Sequence, residues 1–195
     1  IPEFMDMNFE YNEVDEIAKL LLDDKVILYP TDTVWGIGCL VNNVAGIDRI
    51  TQLKNRTPDK SFIILVNSVQ MLKHYVVSIH PRIETLLSYH SQPLTIIYPK
   101  AKNLPQNVTA QDGSIAIRIC GDPFCNQLIA RVDQAIISTS ANKTGAPTPL
   151  NFGQIQEEVK ASVDYIVSYG QSNLEVREPS VIARYDKDGE LIFIR

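Results

Sequence analysis

The stretch SIAIRICGDPFCNQLIARVDQAIISTSAN, residues 114–142, decides the fold class. Ser114 to Ile119 is a short apolar, β-branched run and reads as a strand. Pro123 to Val132 carries apolar residues at helical spacing. Ala135 to Ser138 is a second apolar strand, and it hands over to hydroxyls and an amide in Ser138-Thr139-Ser140-Ala141-Asn142.

The same rhythm extends in both directions. Upstream, Val14, Ile17, Leu20 and Leu21 predict an amphipathic helix over 12–24, capped by Asn12, followed by a strand at Val26 to Tyr29. A helix is expected over 45–55, strands at 62–66 and 94–98, and a helix over 81–90. Downstream, the pattern predicts a helix over 152–160 and a strand at 165–168. Ser180 to Tyr185 and Glu190 to Ile194 flank Lys187-Asp188-Gly189 and read as an antiparallel hairpin with an Asp-Gly turn. Alternating elements that end in a hairpin predict an α/β fold with a mixed sheet.

At 195 residues, 45% of them hydrophobic and 21% charged, the chain suits one globular domain. Residues 1–4, Ile1-Pro2-Glu3-Phe4, fit neither a signal peptide nor a periodic segment and read as a cloning remnant, leaving 5–195 as the domain. The longest apolar runs fall far short of the roughly 20 residues that cross a bilayer. Cys39, Cys120 and Cys125 match no zinc or redox spacing, so reduced thiols are expected. His74, His80 and His90 fall in one stretch that reads as helical and polar, without the pattern of a zinc helix, and no metal ligand is expected. A formal charge of −5 argues against coating nucleic acid, which requires many phosphates to be neutralised. It leaves room for a small phosphate-bearing ligand held by a few cations.

Three segments concentrate chemistry. Lys54-Asn55-Arg56-Thr57-Pro58-Asp59-Lys60 places three cations between a helix and a strand, and suits either a phosphate-holding loop or a solvated turn. Ser138 to Asn142, continuing into Lys143-Thr144-Gly145-Ala146-Pro147-Thr148, stands where an α/β sheet often binds ligands, or is a turn of self-bonding residues. Tyr29-Pro30-Thr31-Asp32-Thr33-Val34-Trp35-Gly36-Ile37-Gly38 is a polar loop with glycines that permit close backbone approach. No Walker loop and no Gly-x-Ser-x-Gly elbow occurs.

Taken in order, these segments resemble the YrdC family of threonylcarbamoyl-adenylate synthases. The family's Pro-Thr-(Asp/Glu)-Thr-(aromatic)-Gly-x-Gly pattern is met by Pro30, Thr31, Asp32, Thr33, Trp35, Gly36 and Gly38. Its Lys-x-Arg signature is met by Lys54 and Arg56, its Pro-x-Thr by Pro93 to Thr95, its central arginine by Arg118, and its Ser-Ala-Asn by Ser140 to Asn142. Ser61 stands where the family usually has proline, and Ser180-Val181-Ile182 replaces Ser-Thr-Val. The chain stops at Arg195, which matches the short, TsaC-like single-domain form of the family.

The resemblance implies a twisted mixed sheet with flanking helices and a concave ligand cavity. It also implies a cytoplasmic nucleotidyltransferase that joins L-threonine, bicarbonate and ATP, releases pyrophosphate, and supplies N6-threonylcarbamoyladenosine modification of tRNA. Lys54 and Arg56 are implied as catalytic. Thr33, Arg118, Ser140 and Ser180 are implied at threonine, and Lys54, Arg56, Lys60, Ser114, Asn142, Thr148 and Arg195 at ATP or its pyrophosphate. The implied company is Mg²⁺ held by the phosphates, separate proteins for transfer to tRNA, and a possible tRNA contact. Three other readings share the resemblance: carbamoyl-adenylate chemistry, a non-catalytic module for structured RNA, and a paralogous branch without settled activity.

Overall fold

A computed structural model describes residues 13–57 and 59–195. Among them, nine strands form one mixed sheet: β1 Ile27–Tyr29, β2 Gly36–Gly38, β3 Ile63–Val66, β4 Leu94–Tyr98, β5 Ile115–Ile119, β6 Ile136–Ser140, β7 Tyr165–Ile166, β8 Val181–Tyr185 and β9 Leu191–Phe193. Their order is β7-β1-β2-β6-β3-β5-β4-β8-β9. Three contacts are parallel (β1 with β7, β3 with β5, β4 with β8) and the rest antiparallel, so the sheet is mixed, as the alternation and terminal hairpin predict.

The helices are α1 at 13–22, α2 Val44–Lys54, α3 Val69–Tyr75, α4 Pro81–Tyr89, α5 Pro123–Val132 and α6 Glu157–Ala161. Val14, Ile17 and Leu21 of α1 are fully buried, as their spacing requires, while the expected Asn12 cap lies outside the described residues. Every residue of β1 is buried, because the strand lies between β7 and β2 within the core. Each such aliphatic side chain contributes about 1.5–3 kcal/mol of burial.

Several boundaries differ from the sequence reading for identifiable reasons. Strand β2 was not expected, since Gly36-Ile37-Gly38 has low strand propensity. It forms because Tyr29 packs where the glycines have no side chains: a Cβ at Gly38 would stand 1.9 Å from the Ile137 carbonyl oxygen and 2.9 Å from the Tyr29 ring. The stretch holding His74, His80 and His90, which reads as helical, is two helices: α3, capped by Ser68 accepting from Met71 N, ends at the extended Val76, and α4 begins after the extended His80. His74 therefore sits in α3, while His80 and His90 cap the two ends of α4. The helix expected over 152–160 splits into a 3₁₀ turn, Phe152–Gln154, and α6, because Ile155 and Gln156 are extended. In the terminal hairpin Tyr185 pairs with Leu191. Five residues therefore close the turn, with Asp186 Oδ1 accepting from Asp188 N and Glu190 N and Gly189 taking a positive φ of 77°.

Candidate functional site

Helix α2 delivers the first cluster. Asn43 caps it by accepting from Gly46 N at 2.9 Å, and Asn55 ends it in the left-handed conformation (φ 47°, ψ 45°). The chain thus turns sharply between Lys54 and Arg56. Lys54 is buried and its ammonium donates to Ser140 O (2.8 Å), Asn142 O (2.5 Å) and Asn142 Oδ1 (2.9 Å), with Ser140 Oγ at 3.4 Å. Ser140 Oγ donates to Asn142 Oδ1 at 2.5 Å, Asn142 Nδ2 donates to Ala146 O at 2.7 Å, and Thr144 Oγ1 donates to Lys54 O. Lys54 therefore clamps the segment that leaves β6. Desolvation, reinforced by the Arg56 charge, pulls its pKa down to about 8.

Arg56 is half-buried, donates to Ser61 O at 2.6 Å, and lies over the Phe62 ring at 4.3 Å. Burial lowers its pKa, and Asp59 partly offsets this. Ser61 turns out to be used: its Oγ accepts from Ala116 N at 3.0 Å, tying the basic loop to β5, a bond to its side chain that proline would not offer. Lys60 is exposed. Ser114 enters β5 with its N–H on Asp112 Oδ1 (2.9 Å), and Thr148 is half-buried without joining either cluster.

The second cluster surrounds Arg118. Register places Thr95 of β4 directly opposite it, and the loop after β1 brings Asp32 and Thr33 from 86 and 85 residues away. Arg118 Nε and Nη2 each lie 3.2 Å from Asp32 Oδ1. Nη2 also donates to Thr33 Oγ1 (3.2 Å), and Nη1 donates to Ser180 Oγ (3.2 Å) and Thr95 Oγ1 (3.5 Å). Thr95 and Ser180 hydroxyls are 2.7 Å apart. Asp32 Oδ2 accepts from Gly121 N (3.2 Å), and Arg195 donates through Nε and Nη2 to Ser180 O at 3.2 and 3.0 Å. Arg118 is 3% exposed and Asp32 9%, so this is a buried ion pair with all three guanidinium nitrogens engaged. Burial, with the Arg118 charge, also lowers the pKa of Arg195.

Most of the residues read from the sequence thus gather into two groups. Lys54 joins Ser140 and Asn142, whereas Thr33, Arg118, Ser180 and Arg195 form the other. Ser140 bonds with Lys54 rather than with Arg118. Asp32 and Thr95 were quoted within motifs but given no role; only the strand register shows that they hold Arg118. Among the described residues, Lys54, Arg56 and Arg195 make no ion pair, so the region carries surplus positive charge suited to an anion. No group of three or more His, Cys, Asp or Glu side chains could hold a metal among these residues. Cys39, Cys120 and Cys125 are free and buried. No described helix is long and apolar enough to cross a membrane.

A cavity of about 500 Å³ lies beside the Arg118 cluster, lined by Thr31, Thr33, Trp35, Asp122 and Arg177 among others. Lys54, Arg56 and Arg118 do not line it. A second, of about 300 Å³, is bounded by Asp32, His90, Pro93 and Gly121.

A mixed sheet that gathers cations and hydroxyls at its strand ends defines an α/β protein built to bind an anionic ligand. The profile of the Sua5/YciO/YrdC family, described as "Telomere recombination", matches residues 19–195, and the chain belongs to that family. It is 30% identical over 151 residues to the threonylcarbamoyl-AMP synthase of Pseudoalteromonas translucida, covering 75% of this chain and 80% of that protein. It is 28% identical over 146 residues to the threonylcarbamoyl-AMP synthase of an Enterobacter species, covering 73% and 77%. Among solved structures, P. abyssi Sua5 complexed with L-threonine superposes with a TM-score of 0.83 at 24% identity, covering 95% of this chain and 54% of Sua5. This chain therefore spans about half of Sua5. E. coli YciO superposes with a TM-score of 0.80 at 18% identity, covering 93% and 87%. These two likenesses establish the shared fold.

Proposed function

We propose that this protein is an L-threonylcarbamoyladenylate synthase: the threonine amine and bicarbonate give a carbamate with loss of water, and a carbamate oxygen attacks the α-phosphorus of ATP as the bond to pyrophosphate breaks. The observation that carries the reading is the pair of clusters, one cationic and one rich in hydroxyls, in a chain whose curated relatives bear that enzyme's name.

Three reactants must be oriented, and no protein nucleophile is required. In this reading Lys54 fixes the Ser140–Asn142 segment, while Arg56 and Lys60 stabilise charge growing on the departing pyrophosphate. Ser114, Asn142, Thr148 and Arg195 flank ATP. Thr33, Ser140 and Ser180 face threonine over the proposed concave face of the sheet. Arg118 acts there chiefly by aligning hydroxyls, because its donors already point at Asp32, Thr33, Thr95 and Ser180. Mg²⁺, an ion that keeps several of its waters and takes few protein ligands, would be carried in on the phosphates and would there offset the triphosphate charge. The product would pass in the cytoplasm to separate proteins that transfer it to tRNA.

The test is pyrophosphate release by the purified protein with ATP, Mg²⁺ and bicarbonate, comparing threonine, serine and no amino acid. Release that requires both threonine and bicarbonate supports the assignment. ATP binding without such release overturns it.

A further inference from the structure

Two thiols take no part in the proposed reaction, yet both touch the loop that serves Arg118. Cys120 follows β5, with its N–H on Val66 O at 2.9 Å. Cys125 lies in the first turn of α5, with its N–H on Asp122 Oδ2 at 2.9 Å. Their side chains converge on the loop after β1: Cys125 Sγ donates to Pro30 O at 3.1 Å, and Cys120 Sγ donates to Asp32 Oδ1 at 3.5 Å. The thiols also bond to one another, and this contact, with burial, holds Cys125 well above the usual thiol range.

Their surroundings tell them apart. Cys120 lines the cavity of about 300 Å³ with Asp32, His90 and Gly121, so a small reagent reaches its sulfur although the residue is 3% exposed. Cys125, 1% exposed, lines neither described cavity. Cys39 lines neither as well, and burial pushes its thiol up to about 12. A sulfur open to a cavity, in contact with a second sulfur that is not, is the arrangement in which oxidation of the first is resolved by the second.

We infer that Cys120 is a modification site for hydrogen peroxide, and that Cys125 resolves it by closing a disulfide that alters the Pro30–Asp32 loop. The Cys120 sulfur attacks one peroxide oxygen and the O–O bond breaks; the departing hydroxide takes the thiol proton and leaves as water, giving a sulfenic acid. The Cys125 sulfur then attacks the Cys120 sulfur, the S–O bond breaks, and a second water leaves with the Cys125 proton. Two thiols are oxidised to a disulfide while peroxide is reduced to two waters. Both S–H donors are consumed, so Pro30 O and Asp32 Oδ1 lose their sulfur partners. Asp32 also accepts from Arg118 Nε and Gly121 N, each at 3.2 Å, and carries the disturbance to the Arg118 cluster. The effect on catalysis rests on the synthase reading, whereas the chemistry at sulfur does not.

The experiment treats the purified full chain with hydrogen peroxide, alkylates the remaining thiols in denaturant and digests with trypsin. Cys120 and Cys125 fall on one peptide, residues 119–131, and Cys39 on another. The expected result is a 119–131 peptide lighter by two hydrogens and free of alkyl groups, with Cys39 still alkylated and the change reversed by dithiothreitol. In Cys125→Ser the sulfenic acid persists and dimedone captures it at Cys120; in Cys120→Ser neither product forms. A 119–131 peptide that stays fully alkylated at peroxide levels that oxidise the unfolded chain overturns the site, as does Cys39 reacting first. Threonine-dependent pyrophosphate release should fall at least fivefold in oxidised wild type, return with dithiothreitol, and resist peroxide in Cys120→Ser. If the chain releases no pyrophosphate under any condition, the synthase reading fails while the peptide mass still decides the site, and the emission of Trp35, the single tryptophan and three residues from Asp32, reports on the loop. A disulfide that changes neither release nor Trp35 emission overturns its action on the loop. Thermal melts establish that the variants are folded, and Cys125→Ala takes the place of Cys125→Ser if the serine variant does not fold.

Discussion

Replacing Asp32 by Asn removes one charge from a buried pair while keeping the side chain's shape. Arg118, 3% exposed, is then left with hydroxyls alone to balance its charge. The new amide also sets an N–H against Gly121 N–H or the guanidinium, where the carboxylate accepted from both. Breaking a buried pair by removing one partner costs about 3–5 kcal/mol. For a chain of this length roughly 2–4 °C of Tm accompanies each kcal/mol, so the lower figure gives a fall of about 6–12 °C. Thermal unfolding followed by circular dichroism measures it. A double variant, Asp32→Asn with Arg118→Met, removes the stranded charge, so its Tm should stand above the value expected by adding the two single losses. A single-variant Tm within about 2 °C of wild type, or strictly additive losses, would refute the account of Asp32 as the counter-ion that makes Arg118 tolerable in the core.

Three further outcomes are expected. Because burial and Arg56 draw Lys54 to about 8, its ammonium is lost as pH rises through that value; pyrophosphate release should fall there, and Lys54→Arg should move that limb to higher pH in a pH–rate profile. An unchanged limb in that variant rules Lys54 out as its origin. Arg56→Ala should abolish pyrophosphate release with the melt nearly unchanged, since it loses one bond to Ser61 O and a ring contact; near-normal turnover would remove Arg56 from the reaction. Gly38→Ala forces a Cβ against backbone at Ile137 and against the Tyr29 ring, and should cost about 3 kcal/mol, seen as a lower urea midpoint.

Much of the architecture was readable because local pattern and burial agree. Helix α5 and strand β4 fall at the expected residues, since each has a clear start signal (Asp122 with Pro123, and Pro93) and an apolar period matched to its environment. The reading failed where tertiary contacts override propensity. Strand β2 exists through its neighbour's ring, and the helix expected over 152–160 breaks because Asn151 caps a 3₁₀ turn at Gln154.

The sequence alone determined that the chain alternates strands and helices into a mixed sheet. It also determined which short motifs carry cations and hydroxyls, because composition and period are local properties. Only the tertiary structure decided that Lys54 closes on Ser140 and Asn142, that Asp32 pairs with Arg118 in the core, and that Arg177 and Asp122 line one cavity. Those partners stand between 55 and 88 positions apart in the chain, and their meeting depends on strand register and loop path, which no local pattern encodes.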